Sequence, residues 1–408
     1  MLTETLKRLL YKYAVARNVL RRRHRSRALL SYIVHPFLPF GQRKHHPNVE
    51  QMHALISVLD DAGFIVDVAD YRVSARMVRM NYDLYFGFGD ALEYVAKNLR
   101  PNQKLIAYAT GRAAPYQAAE SIRRGIEYQR EYGFFPTHSL RIPSALWTFQ
   151  LTQAHGLIMI GDKATASTFD CYPARPFQIR ERVSATHWAK TDGFSLAENR
   201  NWNSAKFNLL WFGGNNVVHK GLDLCIGAVS RLPNVTLQVC GVSARERETV
   251  DRCISYYPGV EKRIKFHGFV HPHSEQFVDV VKGCAFALLP SCSEGQATSV
   301  LTAVAGGGLI PILSDRCGCN DIPTPFWIDG LSVPEVVDAI RNAMERNGQE
   351  LATIAIACAR HVMEEHNVKK YKEKIRRVVS EVIKGVGEGC EPLQSQISFG
   401  TNAQQKSR

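Results

Sequence analysis

The sequence has no long hydrophobic run and no cysteine pair with the spacing of a metal or redox motif. Its longest apolar runs, such as VLTAVAGGGLIPIL, are glycine-rich and shorter than the roughly 20 residues that a membrane helix needs. The closest of the 10 cysteines, Cys317 and Cys319, are separated by one residue, so no CxxC motif occurs. The basic amino-terminal residues lack the apolar segment of a secretory signal. These absences predict a cytoplasmic protein with reduced thiols and no membrane-spanning helix.

Positive charge is in excess: the net charge is +13 and the isoelectric point is about 9.3. Such an excess favours an anionic partner. Residues 3–27 carry many of the cations around a leucine stripe, which predicts a basic amphipathic helix that either lies on an anionic membrane surface or packs on its own domain. The basic residues are concentrated in this segment without interleaved aromatics, so we expect no nucleic-acid partner.

Apolar strand-like runs alternate with helix-like stretches in both halves of the chain, which predicts parallel sheets covered by helices. The predicted strands are Leu29–Val34, Phe64–Val68, Leu84–Phe88, Lys104–Tyr108, Leu157–Ile160, Asn208–Phe212, Val235–Val239, Ile264–Phe266, Ala285–Leu289 and Leu309–Leu313. The predicted helices are Val49–Ala62, Ala91–Leu99, Pro115–Tyr132, Ser144–Ala154, Leu222–Leu232, Arg245–Tyr256, Glu275–Gly283, Ala297–Ala305 and Pro334–Met344.

The fold class predicted by this rhythm is α/β, with two doubly wound, Rossmann-like domains that face each other across a cleft. Residues 1–28 form the basic segment, 29–204 the first domain and 205–348 the second. Between the domains, residues 171–205 lose the rhythm and predict an irregular connection. Residues 349–385 predict further helix, and 386–408 a polar, disordered tail.

The first strand of the second half runs into FGGNNVVHKGLD. Gly213 and Gly214 permit a tight turn with accessible backbone amides, and Lys220 lies where a helix opens. Amides, a helix amino terminus and an ammonium group together suit a diphosphate. The alternative is a glycine turn followed by a surface lysine.

The other strand ends of this half offer further ligand groups. The fourth ends in SCSEGQATS, where Glu294 can hold sugar hydroxyls and the first helical turn can hold phosphate oxygens, or Ser293 and Glu294 only cap the helix. The second and third strands end at Gly241 and at Gly268, where Phe269 can line a base pocket.

The series FGG…HKGLDL, LPNVTLQVCG, IKFHGFV and ALLPSCSEGQATSVLTAVAGGGLIPI resembles the donor half of glycosyltransferase family 4, which has the GT-B fold. The resemblance covers about residues 205–330, and it is weaker over 29–205, through SYIVHPF, DAGFIVDVADY and IAYATG. It implies a retaining enzyme of the bacterial surface-polysaccharide or glycolipid type. The donor is then a nucleotide-diphosphate sugar, with no cofactor and no required metal, and the absence of a DxD motif agrees.

Residue by residue, the resemblance places Lys220 on the donor diphosphate and Glu294 on the donor sugar. The implied donor site consists of Gly213, Gly214, Asn215, Lys220, Gly241, Gly268, Phe269, Glu294, Gly295, the backbone amides of Gln296 and Ala297, and Thr298 and Thr302. Two positions depart from the family: Asn215 stands where many members have arginine, and Thr302 where the ribose-binding glutamate is usual.

The first half is expected to bind a glycan or lipid-linked acceptor. Its candidate residues are His35 and His46 on the acceptor side, and Arg112 as a catalytic contact to donor phosphate or an anionic acceptor, beside Lys220 and Glu294. The alternative for each of the three is a surface-loop residue. The family's base-like histidine is not visible in TGRAAP. Open alternatives are a catalytically degenerate nucleotide- or glycan-binding protein and a sugar epimerase or phosphorylase of the same fold. A peripheral position at the inner face of the membrane follows if the basic segment binds lipid.

Overall fold

The computed structural model of the protein describes residues 10–38, 47–143, 145–175 and 178–385, whose strands form two sheets. The first sheet contains β1 (Val15–Ala16), β2 (Ser26–Tyr32), β3 (Phe64–Asp70), β4 (Leu84–Gly87), β5 (Lys104–Ala109), β6 (Gly156–Ile160) and β7 (Ile179–Val183). The second contains β8 (Asn208–Phe212), β9 (Thr236–Cys240), β10 (Ile264–Phe266), β11 (Phe286–Leu289), β12 (Ile310–Ser314) and β13 (Trp327–Ile328).

Helices follow most strands and cover both sheets. Those around the first sheet are α1 (Pro47–Asp61), α2 (Asp90–Lys97), α3 (Ala114–Tyr132), α4 (Thr148–Gln153) and α5 (Lys163–Ser167). The connection carries α6 (Gly193–Glu198) and α7 (Trp202–Ala205). The remainder are α8 (Leu222–Ser230), α9 (Arg247–Tyr256), α10 (Glu275–Lys282), α11 (Thr298–Gly307), α12 (Val333–Met344), α13 (Gly348–Glu365) and α14 (Val368–Lys384).

Both sheets are doubly wound, as predicted. The first has the order β1-β3-β2-β4-β5-β6-β7, in which all neighbours are parallel except β1 and β3. The second has the order β10-β9-β8-β11-β12-β13 and is parallel throughout. The direction of winding reverses between β2 and β4, and again between β8 and β11. Ligands of such sheets bind beyond the carboxyl ends of the strands at these reversals.

The central strands formed where the sequence predicted them because both of their faces are buried. The strand β11, with the sequence FALL, is buried at every residue, which is typical of a parallel sheet between two helical layers. Helix starts are capped locally: the Ser274 side chain accepts from the Phe277 amide, and Ser332 and Glu335 form a capping box. All ten predicted strands are present, with ends displaced by a few residues.

Three strands were not predicted. The strand β7 lies in the stretch predicted to be irregular; its sequence IRERV is charged and only its last residue is buried, so no apolar run marks it. Pairing with β6 at the sheet edge makes it a strand. The strands β1 and β13 have two residues each and give no periodic signal. The helix predicted at Ser144–Ala154 is shorter, at Thr148–Gln153.

The predicted amphipathic helix over residues 3–27 is wrong in its described part. Residues 3–9 lie outside the described residues, and 12–25 form turns and β1 instead of helix. The backbone of β1 completes the sheet edge beside β3. Arginines from this segment pair with first-domain carboxylates: Arg22 Nη2 lies 2.9 Å from Asp60 Oδ2, and Arg27 Nη2 lies 2.8 Å from Asp67 Oδ2. The segment is thus fastened to the first domain.

The last helices return to the first domain. Helix is present over most of residues 349–385, as predicted, and α14 packs against α1 and β7. The Tyr371 and Tyr108 hydroxyl oxygens lie 2.7 Å apart in the interior. The predicted tail, 386–408, lies outside the described residues. Within the described part of the chain, no helix combines the length and apolarity required to cross a bilayer.

Candidate functional site

A cavity of about 220 Å³ lies beyond the carboxyl ends of β8, β9 and β11, beside the amino terminus of α11. It brings together most of the predicted donor-site residues. Those that line it are Gly213, Gly214, Lys220, Gly241, Phe269, Glu294, Gln296, Ala297, Thr298 and Thr302. The Phe269 ring is 76% exposed, so one of its faces is available to a flat ligand.

Glycine is required at the turn after β8. Gly214 has φ +71°, a conformation that residues with a Cβ rarely adopt. A Cβ on Gly213 would lie 2.1 Å from the Trp211 ring. The turn therefore keeps the backbone close against the cavity, as a phosphate-binding loop requires.

Lys220 and Glu294 approach the cavity from different strand ends. The Lys220 ammonium donates to the Gly213 carbonyl, which holds it at the mouth of the turn. Burial lowers the pKa of Lys220, and the Glu294 charge opposes this shift. The lysine thus supplies a positioned cation at the wall where a diphosphate would lie.

The Glu294 side chain is 9% exposed and surrounded by donors. Its carboxylate lies 3.2 Å from Arg141 Nη1, 3.4 Å from the Ser291 hydroxyl and 3.8 Å from His219 Nε2. Burial raises the pKa of Glu294, but the charges of Lys220 and Arg141 lower it by more than burial raises it. The pKa of Glu294 therefore lies below its ordinary value. The carboxylate is therefore ionised at neutral pH.

His219, which the sequence analysis did not single out, lies directly beneath this cluster. It is fully buried, and Nε2 donates to the Ser293 carbonyl over 2.7 Å. Burial lowers the pKa of His219 to about 4, so the ring is neutral at pH 7. Its role is to position the backbone around Glu294. The only signal in the sequence is its place before Lys220.

Two arginines of the first domain cross the cleft. Arg112, which was predicted, donates from Nε to the Glu294 carbonyl over 3.2 Å and from Nη2 to the Asp315 carbonyl over 3.0 Å. Arg141, which was missed, makes the ion pair with Glu294. It follows a short 3₁₀ helix instead of a strand, so it is not among the strand ends that the sequence pattern marks.

A second cavity, of about 460 Å³, lies in the first domain. Arg112 and Arg141 line it, opposite aromatic side chains of Tyr71, Phe88 and Trp147. The Tyr71 and Phe88 rings are stacked with centroids 5.3 Å apart. The two cavities thus approach each other at the Arg141–Glu294 pair.

Several predicted residues are placed differently. Asn215 is exposed and does not line the donor-side cavity, nor do Gly268 and Gly295. Close packing explains Gly295, because a Cβ there would lie 2.7 Å from the Thr110 carbonyl across the cleft. His35 does not line the first-domain cavity, and His46 lies outside the described residues.

Other predicted ligand groups are used by the chain itself. The Ala297 amide donates to the Cys317 carbonyl over 3.0 Å, so it does not point freely at a phosphate. The Thr302 hydroxyl accepts from the Trp188 amide over 3.0 Å and donates to the Thr298 carbonyl over 2.8 Å. The Gln296 side chain accepts from the Ala185 amide over 2.6 Å. Thr302 and Gln296 therefore anchor the interdomain connection beside the cavity.

Residues 206–347 match the family model described as glycosyl transferases group 1. The match runs through the second sheet from β8 to β13 and includes all donor-side strand ends. This part of the chain is therefore similar to group 1 glycosyltransferases. No curated protein matches the sequence.

Solved structures resemble the chain over nearly its whole length. Sucrose-phosphate synthase from Thermosynechococcus elongatus has a TM-score of 0.61 at 13% identity, covering 88% of this chain and 100% of that one. HepE from Anabaena, in complex with UDP and glucose, has a TM-score of 0.59 at 14% identity, with coverages of 88% and 100%. Trehalose-6-phosphate synthase from Burkholderia multivorans has a TM-score of 0.57 at 9% identity, with coverages of 88% and 99%.

At these identities the likeness concerns the fold. The two facing Rossmann-like domains form the GT-B architecture of glycosyltransferases, which confirms the predicted fold class. The residues that are similar to group 1 glycosyltransferases form the second half, and the cleft lies between the halves.

Proposed function

We propose that the protein is a retaining glycosyltransferase of family 4. In this proposal it moves a hexose-type sugar from a nucleotide diphosphate to a glycan or glycolipid acceptor. The observation that carries this proposal is the convergence of Lys220 and Glu294, from separate strand ends, on one cavity walled by a glycine turn. The structure of HepE, which resembles this chain, is a complex with UDP-glucose and supports a nucleotide-sugar donor.

In this proposal the diphosphate lies between the glycine turn, Lys220 and the first turn of α11. Negative charge grows on the diphosphate as the sugar leaves, and fixed cations and helix dipoles stabilise it most when they are positioned beforehand. Arg141 offers a second cation to this region, although Asn215 stands where many family members have arginine. Glu294 then faces the sugar hydroxyls.

The acceptor is assigned to the first-domain cavity. Its aromatic wall of Tyr71, Phe88 and Trp147 suits the apolar face of a sugar or a lipid-linked glycan, and the arginines lie at the end nearest the donor. We further assign the reaction to bacterial cell-surface polysaccharide synthesis at the inner face of the membrane, as the resemblance to family 4 implies.

The direct test is a screen of nucleotide sugars by thermal unfolding, followed by turnover measurements. A ligand present at about 100 times its dissociation constant stabilises the fold by roughly 2.7 kcal/mol. We expect one nucleotide-diphosphate sugar to raise the melting temperature and to be consumed when acceptor is present. If no nucleotide or nucleotide sugar changes the melting temperature, the proposal is refuted.

A second candidate is a degenerate protein that binds nucleotide without turnover. Two observations favour it: Thr302, at the usual ribose-glutamate position, is hydrogen-bonded within the chain, and Asn215 does not line the cavity. Thermal stabilisation by nucleotide sugar, with no consumption of donor by water or by any acceptor, would select this reading.

Transfer is expected to need no magnesium or manganese, because Lys220, Arg141 and helix-terminal amides can balance the diphosphate. The measurement compares initial rates after chelation with and without each ion. The Asp321→Asn variant, whose altered side chain does not line the donor-side cavity, is measured in parallel so that chelator effects outside this cavity are recognised. Restoration of a lost rate by magnesium or manganese in both proteins would contradict the expectation.

Membrane contact is assigned to the exposed arginines of the amino-terminal segment, Arg21, Arg23 and Arg25. Each cation near an anionic bilayer contributes about 1 kcal/mol, screened by salt. Reversing these three to glutamate is expected to reduce co-sedimentation with anionic liposomes at low salt. The control reverses Arg245, Lys262 and Lys265, exposed in the second domain, for the same net charge. Equal loss in both variants would show that net charge, and not this segment, drives binding.

A further inference from the structure

A cluster of Asp321, His361 and His366 lines neither cavity and forms where the loop after β12 meets the end of α13. Asp321 belongs to the loop after β12, His361 to α13 and His366 to the end of that helix. One ligand atom from each residue falls within a group no wider than 4.8 Å. The sequence did not predict these three as ligands, because only folding brings the aspartate to the histidines.

The tautomer of His366 is fixed by its surroundings. Its Nδ1 lies 3.2 Å from the Ala185 carbonyl oxygen, which can only accept, so Nδ1 carries the hydrogen. In the neutral ring Nε2 then carries a lone pair and no hydrogen. The Nε2 atom lies 3.2 Å from Asp321 Oδ2, and His366 is fully buried. Two electron-rich atoms at this distance repel each other unless a cation lies between them.

No hydrogen bond explains why the histidine nitrogens lie so close to the Asp321 carboxylate. His361 Nε2 lies 3.6 Å from the same carboxylate oxygen. Both Nε2 atoms are buried and neither has a correctly directed hydrogen-bond partner. The two nitrogens are thus close to the carboxylate but are not oriented for hydrogen bonds to it. Such an arrangement is expected when the nitrogens and the carboxylate oxygen all point to one shared ion.

Two of the three separations between the ligand atoms agree with a small tetrahedral ion. Zinc bonds of about 2.0–2.1 Å to histidine nitrogen and carboxylate oxygen place neighbouring ligand atoms about 3.3 Å apart. The 3.2 and 3.6 Å separations bracket that value. The Nδ1 contact to a backbone carbonyl is the usual outer-shell partner of a metal-bound histidine.

We propose that Asp321, His361 and His366 form a structural site for a divalent transition-metal ion, zinc being the best match, with water as a fourth ligand. Two nitrogens and one oxygen suit zinc, whereas magnesium and calcium prefer oxygen alone. This site is independent of the proposed transferase chemistry.

The position of the site explains what the ion would do. Ala185 and His187 belong to the connection between the domains, and the His187 amide donates to the His366 carbonyl over 2.9 Å. The neighbouring Asn320 amide donates to Asp162 of the first domain over 3.0 Å. An ion would therefore hold the interdomain connection, the loop after β12 and α13 in one fixed arrangement. It is expected to raise stability and to leave donor binding unchanged.

The test titrates the chelator-treated full chain with zinc, cobalt or magnesium. We expect one zinc per chain, a higher melting temperature with zinc, the intense visible absorption of tetrahedral cobalt, and no effect of magnesium. Asp321→Asn and His361→Gln are expected to weaken zinc binding by about 100-fold or more, as loss of a ligand exceeds the 10–100-fold effect of an outer-shell partner. They alter partly exposed side chains and so are expected to fold.

The control is His138→Ala, which removes an exposed histidine of the first domain, outside the proposed site. This variant is expected to bind zinc like the unaltered chain. The buried His366→Gln variant is used only if its unfolding remains cooperative. Zinc binding that is absent, or equally strong in Asp321→Asn and the unaltered chain, would overturn the site. The cluster would then be a protonated histidine–aspartate ion pair.

Discussion

Replacing Lys220 with alanine is expected to lower turnover by about 10²-fold or more, the usual effect of losing one preorganised charge-stabilising donor. The ammonium is held at the glycine turn by the Gly213 carbonyl and faces the cavity assigned to the diphosphate. Lys220→Ala is also expected to weaken the free nucleotide diphosphate. Lys282→Ala, an exposed lysine of the same domain, is the control for loss of charge.

Glu294→Gln is expected to act differently, because Glu294 is assigned to sugar hydroxyls that the free nucleotide lacks. The variant should impair use of the nucleotide sugar while changing affinity for the nucleotide diphosphate little. Calorimetry with both ligands on both variants separates the two roles. If Glu294→Gln weakened the plain nucleotide as much as Lys220→Ala does, Glu294 would be a structural residue or a ribose ligand. If neither variant changed binding or turnover, the donor site would lie elsewhere.

Replacing Arg124 with methionine is expected to destabilise the protein by about 3–5 kcal/mol, the usual cost of leaving a buried charge without its partner. Arg124 on α3 and Asp223 on α8 form a buried ion pair between the domains, with 2.6 Å between Nη2 and Oδ2. Burial raises the pKa of Asp223, and Arg124 opposes this shift. Without Arg124, Asp223 is expected to favour its protonated form, so the loss of stability should diminish as the pH falls.

Urea unfolding at several pH values measures this effect. The matched control is Arg123→Met: its neighbouring ion pairs are more exposed, and pairs of that kind contribute about 0–1 kcal/mol. The double variant Arg124→Met with Asp223→Leu is expected to recover much of the loss, since an apolar pair leaves no buried charge. Similar small losses for Arg123→Met and Arg124→Met would show that the interdomain pair is hydrated.

The sequence failed for residues whose state depends on distant neighbours. The charged strand β7 carries no apolar pattern and exists because β6 offers an edge. The amino-terminal arginines fit a helical pattern, yet Asp60 and Asp67 draw two of them onto the first domain and β1 completes the sheet. Local periodicity contains neither the sheet edge nor the opposite charge, so it favoured a helix.

What the sequence determined by itself is the alternation of buried strands and helices, and the glycines, lysine and glutamate at the strand ends of the second half. A parallel doubly wound sheet gathers its strand ends at one edge, so order along the chain was enough to place Lys220 and Glu294 in one cavity. Only the tertiary structure decided which groups meet across the cleft. Arg141 reaches Glu294, Thr302 is bonded to the connection, and Asp321 approaches His366 because separate segments are packed together. Such long-range contacts leave no periodic trace in the residues that make them.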